Sequence, residues 1–124
     1  LFSNSSNEVT NENYATEIIQ KNLKKMFDYF MENPNLTKIG FYDAEQSTVV
    51  KQMLVSKLEN VINNHLNEYP VVKRVNATVL AESLVGSMER LTLTNLLTNK
   101  SNPEQLAQDI SMIYFANEKS LVHQ

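Results

Sequence analysis

Residues 76–117 read NATVLAESLVGSMERLTLTNLLTNKSNPEQLAQDISMIYFAN, and this stretch decides the fold. Asn102, Pro103 and Gln105 form a helix start. An Asn can cap, a Pro loses nothing at the first helical position, and a Gln three residues after the cap completes a capping box. Beyond it, at ~100° per residue, Leu106, Ala107, Ile110, Ile113 and Tyr114 gather on one face. Met112, Phe115 and Ala116 fall on nearly the opposite one. The preceding helix, about Asn76 to Thr98, repeats the pattern. It carries Leu80, Leu84, Met88 and Leu91 on one side and Val79, Val85, Leu93 and Leu96 elsewhere. A surface helix shows one apolar stripe, so two stripes predict burial on both sides. Gly86 lies mid-helix between Ser83 and Ser87, where Gly costs ~1 kcal/mol relative to Ala. A close helix–helix crossing accounts for that cost. In so small a domain the second buried face points to another copy of the chain, in a symmetric homodimer.

Towards the N-terminus the helical period continues. Ala15, Ile19, Leu23, Met26, Phe27 and Phe30 recur at three- and four-residue steps, predicting a helix from Asn13 to about Glu32. Residues 1–11 are polar and aperiodic and read as a leader or linker remnant, leaving 12–124 as the helical domain. Asn33-Pro34 is a second cap-plus-proline start, for a short helix containing Leu36, Ile39, Phe41 and Tyr42. Asp43 and Gln46 form a capping box ahead of a third helix, with Val50, Leu54, Leu58, Val61, Ile62 and Leu66 inward, and Pro70 ends it. Val71, Val72 and Val75 look strand-like, but a lone strand has nothing to pair with, so the segment reads as a loop or the lead-in to a helix. The expectation is an all-α domain of about five helices, the last two forming a dimeric four-helix bundle.

Composition agrees. The 124 residues, 42% of them hydrophobic, suit one domain with a real core. With 2 Gly and 3 Pro there are too few turn residues for a hairpin-rich β fold. The absence of Cys excludes disulfides and thiolate metal sites. Eleven basic residues against 14 acidic ones give a net charge of -3, which argues against nucleic-acid binding by this domain alone. No apolar run approaches the ~18 residues of a membrane span. Leu1-Phe2 leads into polar sequence rather than a signal segment, so the expected location is cytoplasmic. A chain that starts at Leu1 reads as a piece of something longer.

Chemistry-bearing patterns are scarce. His65 and His123 belong to no metal motif, Gly40 and Gly86 are isolated rather than part of a phosphate loop, and no Ser sits in a nucleophile elbow. No catalytic residue, metal site or cofactor is expected, and no enzymatic activity. The methionines and aromatics say more. Met26, Phe27, Phe30, Phe41, Met53 and Met88, with Tyr29 and Tyr42, converge between the earlier helices and the fourth. They form either a plain packed core or the lining of a cavity for an apolar ligand, with Tyr14, Asn22, Thr92 and Asn95 as polar contacts. The spacing alone does not separate these readings. Arg90, on a stripe with Ser83, Ser87 and Thr94, either pairs with Asp109 of the next helix or faces solvent.

Three segments together resemble a known family. Asn33-Pro34-Asn35-Leu36-Thr37-Lys38-Ile39 followed by Phe41-Tyr42 resembles the "NP-x-L-x-x-hydrophobic" segment of tetracycline-repressor (TetR) family regulators. The run from Ala81 to Leu91 resembles that family's penultimate helix, and Asn102-Pro103-Glu104-Gln105-Leu106-Ala107 through Ile113 its last one. The resemblance spans about residues 12 to 117. It implies a bacterial regulator's effector-binding and dimerisation domain, preceded in the whole protein by a helix-turn-helix module through which alone it would meet operator DNA. It also implies a homodimer through Ser83, Gly86, Ser87, Arg90, Met112, Phe115 and Ala116, and a small-molecule effector among Met26, Phe27, Phe30, Phe41, Met53 and Met88. A helical adaptor module with a solid core and no ligand is the competing expectation.

Overall fold

The computed structural model describes residues 7–115, and the side chains of 16–115. Among the described residues the chain is helical and has no strand. The helices are α1 (Asn7–Glu32), α2 (Pro34–Tyr42), α3 (Ser47–His65), α4 (Pro70–Arg74), α5 (Ala77–Leu91) and α6 (Pro103–Phe115). A π-turn, Thr92–Leu96, prolongs α5. Two departures from the expected boundaries have simple causes. Helix α1 starts at Asn7, so part of the polar leader is helical; periodicity could not reveal it, because those turns carry no apolar stripe. The valine-rich stretch after Tyr69 is a single helical segment opened by Pro70 at its first turn. Pro70 thus starts a helix rather than ending α3, which stops at His65.

The caps follow the sequence signals unevenly. Asn102 Oδ1 accepts from the Gln105 backbone N–H at 2.9 Å, as expected, but the Gln105 side chain turns forward to Asp109 instead of closing the box. Asp43 Oδ1 accepts from the backbone N–H groups of Glu45 and Gln46, holding the turn that feeds α3. Asn33 departs from its expected role: its amide donates to the Tyr29 carbonyl and leaves α2 without a side-chain cap. Asn76 caps α5 by accepting from Thr78 and Val79. Asn76→Ala and Asn102→Ala should each lower stability by ~1 kcal/mol, read as a lower urea midpoint at unchanged slope.

Helix α1 runs along α6 and α3 runs along α5, with α2 folded across the end of α1 and onto α3. At one end of α1, Thr16 hydrogen-bonds Tyr69, whose ring packs edge-to-face on Phe115. Further along, Lys24 lies beside Glu104 and Ala107, so α6 runs antiparallel to α1. Ile19, Leu23, Phe27, Leu58, Ile62, Leu84, Met88, Leu96 and Ile110 form the fully buried centre. Val85 and Leu96 belong to this core rather than to a second stripe. In α6 the inward face also includes Ser111 and Phe115, while Ile113, expected inside, is 72% exposed.

After the π-turn the chain leaves through Asn99, held at φ 61 in the left-handed region that Asn tolerates better than most residues. The Lys100 and Ser101 N–H groups return to the Asn95 carbonyl, which closes the helix end.

Candidate functional site

The effector residues inferred from the sequence divide into two groups. Met26, Phe27, Phe30, Phe41 and Met88 are all buried in the one hydrophobic core. Phe27 meets Phe30, and Phe30 meets Phe41, in edge-to-face pairs with centroids 6.1 and 5.1 Å apart. Met53 does not join them. It is 67% exposed on the outer side of α3, because the inward stripe of that helix runs through Val55, Leu58 and Ile62. Of the expected stripe, Leu58, Ile62 and Leu66 are buried and Leu54 and Val61 pack against the core, Val50 lies at the cleft instead, and Val55 was the unrecognised member.

A cleft of about 270 Å³ opens beside this aromatic cluster, between the end of α1, α2 and the start of α3. Tyr29, Leu36, Ile39 and Val50 wall it, and Phe30 and Phe41 line it beneath. Two local contacts set its shape. The Thr37 hydroxyl donates to the Phe30 carbonyl at 3.1 Å, tying α2 to the last turn of α1. Gly40 lets α2 approach α3 closely: a Cβ there would sit 3.3 Å from Val50 Cγ1. Neither Thr37 nor Gly40 stands out by residue type alone. At the far end of α2, burial pushes the Tyr42 phenol above its usual pKa, with the Glu89 carboxylate as the next cause.

Of the polar contacts anticipated for a ligand, Asn22 donates to the Ile18 carbonyl and Asn95 to the Thr94 hydroxyl. The side chain of Tyr14 lies outside the described residues. Thr92 differs from its neighbours. Thr94 and Thr98 donate to carbonyls four residues back, whereas the Thr92 hydroxyl is fully buried and has no partner among the described residues. Ser111 is in the same position on α6. A buried hydroxyl without a partner costs ~1–3 kcal/mol, so replacing it with a methyl of the same shape removes a penalty. Thr92→Val should therefore raise stability by ~1 kcal/mol, visible as a higher melting temperature.

The second candidate surface is the outward side of α5 and α6. Val79 (54% exposed), Ser83, Gly86 and Arg90 align on α5, and Met112 and Ile113 stand out on α6. Among the described residues nothing lies within 4 Å of a Cβ built on Gly86, so no crossing between them requires this glycine. The flanking serines have a role inside the chain: the Tyr114 hydroxyl lies 2.8 Å from Ser83 Oγ and 2.9 Å from Ser87 Oγ. Phe115, expected on the outward face, is instead buried against Tyr69, and Ala116 lies outside the described residues. Tyr69 itself is a core residue that the sequence reading missed, since it sits in a turn and outside any helical stripe. Arg90 and Asp109 are both exposed and do not pair within the chain; Asp109 accepts from Gln105. Beside Gly86, Lys51 and Glu89 form an ion pair of 3.1 Å that joins α3 to α5.

Among the described residues no group of His, Asp and Glu is placed to hold a metal ion, and no helix is long and apolar enough to cross a membrane. No family model matches the chain, and no solved structure matches it. Over 88 residues it is 28% identical to an uncharacterized HTH-type transcriptional regulator, YdgC, of Bacillus subtilis (strain 168). The match takes in 71% of this chain and 45% of that protein, so the chain spans less than half the length of the relative. An all-helical domain with a relative among transcription regulators is thus the class that fold and similarity define together.

Proposed function

We propose that the chain is the effector-sensing and dimerisation domain of a TetR-like transcriptional repressor, which releases DNA when a small, largely apolar molecule binds. The similarity to an HTH-type regulator carries this reading. The outward α5–α6 face supports the dimer half: Val79, Met112 and Ile113 are large, apolar and uncovered, and Gly86 leaves backbone accessible between them. A two-fold axis through this face would cover the same patch on both protomers. The aromatic cluster and its cleft support the sensing half. Contact with operator DNA would fall to a separate helix-turn-helix segment, since the domain itself is acidic. The domain would bind and signal without catalysing a reaction, in the cytoplasm.

Sedimentation velocity at micromolar concentration tests the dimer, with a two-fold larger species expected and a stable monomer refuting it. A helix-turn-helix encoded upstream in the same reading frame tests the regulator. The competing reading, a solid-core adaptor module, draws on the complete burial of Phe27 and Met88. It would be favoured by an upstream sequence with no such motif.

A further inference from the structure

We propose that the cleft between α1, α2 and α3 is a binding site for a neutral aromatic molecule of one or two rings carrying one hydrogen-bonding group. The proposal deepens the sensing half of the regulatory reading by placing the site beside the core rather than inside it. It rests on that reading for its biological use, not for binding itself.

The occupant follows from size, charge and shape. At about 270 Å³ the cleft has room for a molecule of one or two rings. Among the described residues no Asp, Glu, Lys or Arg lines the cleft, so a charged ligand would lose its hydration without gaining an opposite charge. A neutral molecule avoids that loss. Phe30 and Phe41 meet at an interplanar angle of 69°, and Tyr29 stands edge-on to Phe30. A further ring can therefore continue the edge-to-face packing. Thr37 is already committed to the Phe30 carbonyl, which leaves the exposed Gln46 amide and the Tyr29 hydroxyl as the polar groups that can meet the ligand. Leu36 and Ile39, apolar and exposed on the wall, are the surface that such a ligand would cover.

The test is an amide and methyl NMR titration of the chain with 2-naphthol, and with 2-naphthoate as a charged control of matched shape. The Gly40 amide and the Val50 methyls should shift and saturate with 2-naphthol and stay put with 2-naphthoate. Ile39→Lys, on the exposed wall, should weaken binding by about tenfold or more, while Lys24→Ala, beside Glu104 and away from the cleft, leaves it unchanged. Absence of saturable shifts with millimolar 2-naphthol overturns the proposal. So do shifts centred on the Met88 methyl that ignore Ile39→Lys, which would place the site in the core. Gly40 shifts that follow protein concentration without any naphthol would overturn it too, as they would mean a second copy covers the cleft. Saturable binding here in a protein with no upstream helix-turn-helix would support the site and defeat the regulatory reading; the reverse result would defeat the site alone.

Discussion

Phe27→Ala should lower the stability of the chain by about 3–5 kcal/mol, a large part of the ~5–15 kcal/mol that holds a domain of this size together. Phe27 is fully buried, packs edge-on against Phe30, and lies on α1, which touches α2, α3, the π-turn and α6. Truncation there removes the transfer energy of a ring and leaves a hole that several helices would have to close together. Urea denaturation of the purified chain measures the loss directly. Met53→Ala is the comparison, since at 67% exposure Met53 should change stability by less than ~0.5 kcal/mol. The pair also separates two views of the aromatic cluster. If Phe27 lined an open cavity, its ring would have few partners to lose and truncation would cost far less. A Phe27→Ala chain as stable as the Met53→Ala chain would refute the packed core described here.

The fold was legible where apolar spacing and start signals agreed. On α1 the stripe Ile19, Leu23, Met26, Phe27 and Phe30 is the buried face, and on α5 the stripe Leu80, Leu84 and Met88 is too. Both helices have one dominant inward face, so period and burial coincide. α6 was harder. With Leu106, Ile110, Met112, Ile113, Tyr114 and Phe115 spread around the axis, the spacing could not say which faced the chain. The choice follows from α6 lying along α1, an arrangement in which Ser111 and Phe115 are buried and Ile113 is left outside. Tyr69 was invisible for a related reason: its burial comes from Thr16 and Phe115, far away in sequence. The site was half legible. Residue type singled out Phe30 and Phe41, but the cleft also depends on Gly40 and Thr37, whose parts are set by the closeness of α2 to its neighbours.

Gly86→Leu should act with opposite signs on the two levels of structure. Among the described residues of one chain the substitution meets open space, with nothing inside 4 Å of the new Cβ, and it replaces a poor helix former mid-helix by a good one. The isolated chain should gain up to ~1 kcal/mol, seen as a higher urea midpoint for the monomer. The proposed dimer should suffer. A leucine added at the crossing appears once from each protomer, so the two helices must separate or distort, at ~1–3 kcal/mol for each overpacked side chain. Dimer dissociation should become easier by about 100-fold, equivalent to ~2.7 kcal/mol. Sedimentation across a concentration series reads that shift. Lys24→Ala supplies the control, because Lys24 pairs with Asp28 on the exposed side of α1, away from α5. A single mechanism cannot mimic this pair of results: general destabilisation would lower both quantities, and a solvent-facing Gly86 would raise stability and leave assembly untouched. That last outcome would remove the α5–α6 face as the dimer interface. A more stable yet monomeric Gly86→Leu chain, beside a dimeric parent, would mean that this helix keeps a glycine at a cost to its own stability because a second helix lies against it.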